Sequence, residues 1–283
     1  MIAQSPVLAQ RPASAQSPVR VAIVGDLHIG APVRGLDAVQ SEHEAREFAY
    51  YATERLIETV AAAKVDAVLV TGDLFDRSDG SVRALRLAQR LVDECCDAGR
   101  PLAMIGGNHD AESELPSQLR LPGSARWFSA ERPETLALPD LGLAVHGVSV
   151  CERDDLREVI GTYPAPLAGA FNVAMLHSSL DGEWSNRPCL PVPLERLRGD
   201  GRYQAWALGH VHRRLALCEG PLIAYPGGVH ARRENAEGER GFIVLEVEGA
   251  GVVGAEASAR LTEVDVALEV PVRTPAAAAT PAL

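Results

Sequence analysis

Short apolar runs and longer stretches with helical spacing alternate through the first hundred residues of this chain. Residues 19–25 (VRVAIVG), 66–72 (DAVLVTG) and 101–107 (PLAMIGG) are mostly apolar, rich in branched side chains and bounded by glycine. Each predicts a buried strand. After the first, Ser41 and Glu44 form an S-x-x-E capping box followed by apolar residues at Phe48, Ala52, Leu56 and Val60, which predicts a helix. A second helix is predicted from about Ser81 to Ala98, with Gly99 as its C-terminal cap. Strand, helix, strand, helix, strand in this order predicts an α/β fold on a parallel sheet with right-handed crossovers. Beyond residue 130 the strand-like runs crowd together: ETLAL, LGLAVHGVSV, FNVAMLH, YQAWALGH, RRLALCE, PLIAYP and GFIVLEVE. They predict a second half dominated by strands, with few helices and some antiparallel pairing.

The ends read differently. Residues 1–18, rich in Ala, Gln, Ser and Pro, predict a disordered leader. Residues 19–248 carry no repeat or linker and are expected to form one domain. Residues 249–283 are expected to be a short extension with one or two strand-like runs (ARLTEVDVALEV) and a tail from about 270.

Composition narrows the class. The chain has 283 residues, is 47% hydrophobic and has a mean hydropathy near zero, enough apolar material for a sizeable core. Its formal net charge is −11, and its only lysine is Lys64 against 26 arginines. An acidic balance argues against a broad nucleic-acid-binding surface but leaves room for a local one. Between Arg187 and Arg240 nine arginines face six acidic residues. Five cysteines without CxxC spacing argue against a disulfide framework or a thiolate zinc site and fit reduced thiols. No secretory signal and no long apolar stretch is present, so no membrane association and a cytoplasmic location are expected.

The chemistry concentrates in five short motifs: GDLHIG (25–30), GDLFD (72–76), GGNHD (106–110), MLHSS (175–179) and GHVH (209–212). They hold five of the eight histidines. The first three each begin where a predicted parallel strand ends, and ligand sites of open α/β sheets lie at those ends. Asp26, His28, Asp73, Asn108, His177, His210 and His212 are all types that ligate a divalent ion. Together they suit a pair of metal ions, with Asp73 as the bridging carboxylate. Asp26, His28 and one histidine of GHVH would complete one set; Asn108, His177 and the other would complete the second. Two ions held a few ångströms apart suit phosphate ester hydrolysis, because they activate water and clamp the attacking and leaving oxygens. Mixed carboxylate, amide and imidazole ligands suit manganese, with iron or zinc as alternatives.

His109 follows a ligand and so is expected to face the substrate, as the group that protonates the leaving oxygen. Asp110 is expected to orient its ring, and Asp76 to support the metal loop by hydrogen bonding. His146, in an apolar run, reads as a core residue, His43 as a surface residue, and His230 is left unassigned. Each motif alone has an ordinary reading, since a lone GD after a strand is usually a turn. Five in order at strand ends do not.

This ordered set resembles the calcineurin-like metallophosphoesterase superfamily over roughly residues 19–248. The resemblance implies a four-layer α/β/β/α sandwich with two mixed sheets and a dinuclear site. It assigns Asp26, His28, Asp73 and His212 to one metal, assigns Asp73, Asn108, His177 and His210 to the other, and makes His109 the catalytic histidine. VDAVLVTGDLFDRS, AMLHSSLDG, AWALGHVHRR and IAYPGGVHARRENAEGERGFIVLEVE are similar to bacterial SbcD-like DNA repair exonucleases. That similarity implies DNA as substrate and a coiled-coil ATPase as partner. Arg213, Arg214, Arg232, Arg233 and Arg240 then become candidate phosphate contacts, Arg213 and Arg233 foremost. The expected activity is thus a metal-dependent DNA exonuclease. The alternatives are a phosphatase or phosphodiesterase for small nucleotides and a non-catalytic binding module on the same fold.

Overall fold

Two six-stranded sheets face each other in a computed structural model, which describes residues 17–33, 41–182, 187–217, 220–230, 240–251 and 257–268. Residues 1–16 of the leader, 269–283 of the tail, and Arg232 and Arg233 lie outside the described residues. The first sheet has the order β12-β11-β1-β2-β3-β4. Its members are β1 (Val19–Val24), β2 (Ala67–Val70), β3 (Leu102–Met104), β4 (Ala125–Trp127), β11 (Gly241–Glu248) and β12 (Ser258–Asp265). β1 to β4 run parallel, as the βαβαβ pattern predicts, and β11 and β12 add antiparallel at the edge.

The second sheet has the order β5-β6-β7-β8-β10-β9. It comprises β5 (Glu134–Leu138), β6 (Leu143–Gly147), β7 (Phe171–His177), β8 (Ala205–Gly209), β9 (Leu215–Leu217) and β10 (Leu222–Tyr225). Its centre, β6-β7-β8-β10, is parallel, and antiparallel pairing is confined to the edge strands β5 and β9.

Alternation along the strands explains the layering. In β1, Ala22 and Val24 pack outward beneath the helices, while Val21 and Ile23 pack inward between the sheets. In β7, Val173 and Met175 join that inner core, while Ala174 and Leu176 face the outside of the second sheet. Both faces of each central strand are therefore covered, which is why these runs read as apolar on consecutive residues.

Helix α1 (Glu42–Ala62) is capped by Ser41, whose hydroxyl accepts from the Glu44 N–H. Helix α2 (Val82–Asp97) is capped in the same way by Ser81, and Gly99 just beyond its end is left-handed. Both cover the first sheet. The outer face of the second sheet is covered by α3 (Leu194–Arg198) and loops that pack Tyr163, Tyr203 and Leu197 around Trp206. This outer layer is thin, but it completes the four-layer α/β/β/α sandwich.

The extension beyond residue 248 contributes more than an appendage. β12 pairs with β11 along its whole length, from Gly241↔Asp265 to Glu248↔Ser258. The four cysteines among the described residues are free thiols. No helix among the described residues is long and apolar enough to cross a membrane.

Candidate metal centre

The loops leaving β1 and β2 are zipped together by their main chains. Asp26 N–H donates to Gly72 O (3.0 Å), His28 N–H to Asp73 O (2.9 Å) and Ile29 N–H to Leu74 O (3.0 Å). To make these turns the chain takes left-handed backbone angles at Asp26 (φ 49°), His28 (φ 41°) and Asp73 (φ 50°), and His210 (φ 92°) does the same just after β8. Such angles are rare outside glycine and cluster at functional sites. Gly107 is required for a different reason: a Cβ there would stand 2.2 Å from Asp73 Oδ1.

These turns gather all seven predicted ligands at one end of the sandwich, in the seam between the sheets. On one side, His28 Nε2 lies 3.1 Å from His212 Nε2, 3.4 Å from Asp73 Oδ2 and 4.0 Å from Asp26 Oδ1. His212 Nε2 is itself 3.7 Å from Asp26 Oδ1. On the other, Asn108 Oδ1 has His177 Nε2 at 3.2 Å and His210 Nδ1 at 3.0 Å, and His177 Nε2 is 3.5 Å from Asp73 Oδ2. Asp73 touches both groups. Asp26, His28, Asp73 and His177 are almost wholly buried, whereas His212 and His210 retain some exposure.

Sequence reasoning named the wrong partner for His109. Its Nδ1 lies 3.1 Å from Asp76 Oδ2, and the same oxygen is 3.5 Å from His28 Nδ1. Asp110 is turned the other way. Its carboxylate accepts the N–H groups of Leu74 (3.1 Å), Phe75 (2.9 Å) and Gly107 (2.9 Å), so it pins the GDLFD loop to the GGNHD loop. Both Asp110 oxygens are thus turned to the main chain of these loops. The signal was available: Asp76 is the second acid of GDLFD. His109 itself keeps 14% of its side-chain surface exposed, against 0% for His177, so a substrate can reach it.

Two substitutions separate these acids. Asp76→Asn should lower turnover about 10- to 100-fold, the usual cost of losing the group that orients an active ring. Because Asp76 also faces His28, the variant's ion content in metal analysis should fall, but by less than turnover does. Asp110→Ala should instead lower unfolding free energy by about 2 kcal/mol, because it strands buried N–H donors. Urea denaturation measures that loss.

Residues 19–214 match the sequence profile of the calcineurin-like phosphoesterases. The chain belongs to the calcineurin-like phosphoesterase family. It is 28% identical over 228 residues to the uncharacterized metallophosphoesterase YhaO of Bacillus subtilis (strain 168), covering 78% of this chain and 56% of that protein. It is also 28% identical over 264 residues to the DNA double-strand break repair protein Mre11 of Methanopyrus kandleri, covering 84% of this chain and 56% of the relative. The chain thus spans little more than half the length of these relatives. Among solved structures, a dimetal phosphatase from Danio rerio superposes with a TM-score of 0.50 at 12% identity, over 86% of this chain and 98% of that one. At that identity the likeness is one of fold.

Calcineurin-like phosphoesterases depend on two metal ions, and the donor set here fits them. Three histidines each place one ring nitrogen against an outer oxygen and aim the other inward. His177 Nδ1 is 2.9 Å from the Thr71 carbonyl, His210 Nε2 is 2.9 Å from the Arg187 carbonyl, and His28 Nδ1 faces Asp76 at 3.5 Å. Outer acceptors of this kind fix the proton on the outer nitrogen and leave the inner lone pair for a cation. The inner contacts suit one. Two imidazole nitrogens 3.1 Å apart, and two more converging on one amide oxygen, bring lone pairs together.

Electrostatics give the same picture. Burial pushes the Asp26 carboxyl up to about 7, with His177 opposing the rise and Asp73 adding to it. Burial also acts to raise Asp73, but His177 and His28 outweigh it and hold that carboxyl well below its usual range. Burial acts to lower His177, yet Asp73 outweighs it and brings the ring up to about 9. His210, buried beside His177, is pushed down to about 4. Protons thus balance the clustered carboxylates, and divalent cations binding there would displace them.

The candidate phosphate contacts divide. Arg213 is exposed directly after His212, while Arg233 lies outside the described residues. Arg214 and Arg240 are committed to structure instead. Arg214 pairs with Asp265 of β12 at 2.7 Å with its side chain 4% exposed, and Arg240 donates to the His212 carbonyl at 3.3 Å. His146 is a core residue, bonded to Thr135 Oγ1 (2.8 Å) and Asn172 Oδ1 (2.9 Å). The buried His230 has its Nε2 3.1 Å from the Leu27 carbonyl, so it braces the GDLHIG loop.

Proposed function

We propose that this protein is a dinuclear-metal phosphodiesterase that cleaves DNA from an end in the service of DNA repair. In this reading Asp26, His28, Asp73 and His212 hold one ion, Asp73, Asn108, His177 and His210 hold the other, and manganese is the native metal. The observation that carries it is the inward aim of three imidazoles, those of His177, His210 and His28, whose outer nitrogens face the Thr71 carbonyl, the Arg187 carbonyl and the Asp76 carboxylate. The bound ions would polarise the scissile phosphate and its attacking water. His109 holds its Nδ1 against Asp76, so Nε2 is the nitrogen left to meet the substrate. It donates a proton to the leaving oxygen as the bond to phosphorus breaks, and Asp76 balances the ring's charge meanwhile.

DNA is favoured by the relative named for double-strand break repair and by the exposed Arg213 beside His212. A coiled-coil ATPase partner and a cytoplasmic location belong to the same proposal. One observation favours a second reading, a phosphodiesterase for small nucleotides: a net charge of −11 repels a long polyanion more than a short one.

The deciding experiment offers the manganese-loaded protein labelled single- and double-stranded DNA alongside bis(4-nitrophenyl) phosphate. Progressive shortening of DNA from one end is the expected result. Turnover of the aryl ester alone selects the small-nucleotide reading, and no turnover with two ions bound leaves a binding module.

A further inference from the structure

One carboxylate near His109 is shared between two guanidinium groups. Glu112 Oε2 lies 3.1 Å from Arg77 Nη1, and its Oε1 lies 3.8 Å from Arg153 Nη1. The three side chains come from separate loops that all lead back to the metal centre. Arg77 directly follows Asp76, which faces His109. Glu112 sits one tight turn beyond His109, its N–H donating to the His109 carbonyl at 3.2 Å. Arg153 lies in the loop after β6, and Val150 at the start of that loop donates to Gly106 O of the GGNHD strand end at 2.9 Å.

We propose that Arg77 and Arg153 form a subsite for a second phosphate of a nucleic-acid strand, adjacent to the one cleaved, and that Glu112 occupies this seat until the strand arrives. The proposal rests on the phosphodiester reading above. A guanidinium presents its N–H donors in a planar fork that fits a carboxylate and a phosphate equally well. A carboxylate lying between two guanidiniums therefore stands where a phosphodiester would stand. The three side chains are 42%, 34% and 31% exposed for Arg77, Glu112 and Arg153, open enough to exchange one anion for another.

The same loop presents a surface suited to the rest of a nucleotide. Leu156 is 62% exposed, one of few large apolar side chains left in water among the described residues. The loop beneath it is tied down by hydrogen bonds. Buried Asp155 accepts from the Cys151 N–H at 3.1 Å and from Arg157, and its carbonyl accepts from Leu190 N–H at 2.7 Å. Leu156 thus offers an apolar contact three residues from Arg153, on which the base attached to the second phosphate would rest. A simple aryl phosphodiester has one phosphate and no base, so it cannot use this subsite.

The test compares ten-residue oligothymidylate with bis(4-nitrophenyl) phosphate for Arg77→Ala, Arg153→Ala and Glu112→Gln. Each arginine variant should raise KM for the oligonucleotide about tenfold, and lose far less kcat/KM on the aryl ester. Each should flatten the logarithmic salt dependence of oligonucleotide binding by about 0.7, the contribution of one single-strand phosphate contact. Glu112→Gln should act in the opposite direction and tighten oligonucleotide binding several-fold, which a loss of packing would not do.

Equal losses on both substrates, an unchanged salt slope, or weaker binding in Glu112→Gln would overturn the subsite. A wild-type protein that hydrolyses only the aryl ester would sink the DNA reading instead. The subsite is then judged by fluorescence anisotropy of labelled oligothymidylate on His109→Ala with and without Arg77→Ala. Equal affinities there refute it, and tenfold weaker binding in the double variant upholds it.

Discussion

Asp73→Ala should leave the protein with neither ion, a fall from two per chain to none in metal analysis after desalting. Asp73 is the carboxylate of which a single oxygen lies beside a histidine of each group. Its Oδ2 lies 3.4 Å from His28 Nε2 and 3.5 Å from His177 Nε2. Removing it takes the shared carboxylate from two sites at once. The remaining donors are imidazoles, an amide and the single carboxylate of Asp26. A site with so little negative charge does not compete with water for a divalent cation. Hydrolysis of bis(4-nitrophenyl) phosphate should drop to background.

Thermal unfolding supplies a second readout. Free manganese at 100 times its dissociation constant should stabilise wild type by about 2.7 kcal/mol and Asp73→Ala not at all. Retention of one tightly held ion would show that the carboxylate is not shared.

His109→Ala should give the reverse pattern: two ions bound, and kcat lower by about 10²- to 10⁴-fold, the range expected for a lost general acid. The link between this residue and the metal loop is made by its main chain. His109 N–H donates to Asp73 Oδ1 at 2.8 Å, and alanine keeps that bond. What disappears is the imidazole held by Asp76. Loss of metal in this variant would mean that the ring is a ligand, and the proton-donor role would fall. An aryl ester with a more acidic leaving group should narrow the deficit, because a better leaving group needs the proton less.

Much of this was legible in the amino-acid sequence because the fold punctuates its own elements. Ser41 with Glu44 marked the start of α1, Ser81 and Gly99 bracketed α2, and glycine-aspartate pairs marked where β1 and β2 end. What the sequence hid were relations between elements. The runs of the second half showed their period but not their partners, so the parallel centre of the second sheet was not foreseen. β4, three residues long and only half-buried, has too little pattern to announce itself. β12 falls in the strand-like run ARLTEVDVALEV, but nothing in that run announced that it would pair along β11 and complete the first sheet. The exchange of Asp110 for Asp76 has the same origin. Adjacency in sequence suggested the neighbouring acid, but the tight turn after His109 swings residue 110 toward the backbone of Leu74 and Phe75. The left-handed angles at Asp26, His28, Asp73 and His210 were invisible for a related reason, since aspartate and histidine do not advertise such turns as glycine does.

The seam between the two sheets has a consequence for how this protein comes into being. Asp26, His28, Asp73 and Asn108 lie on loops of the first sheet, and His177, His210 and His212 on the second. On the proposed assignment, each ion takes ligands from both, like a rivet through two plates. A chain growing from its N-terminus has made four ligands by residue 108 but cannot close either site until β8 and the turn after it are in place. Ion capture is then a late event in biogenesis, and the filled centre certifies that both plates have met in register.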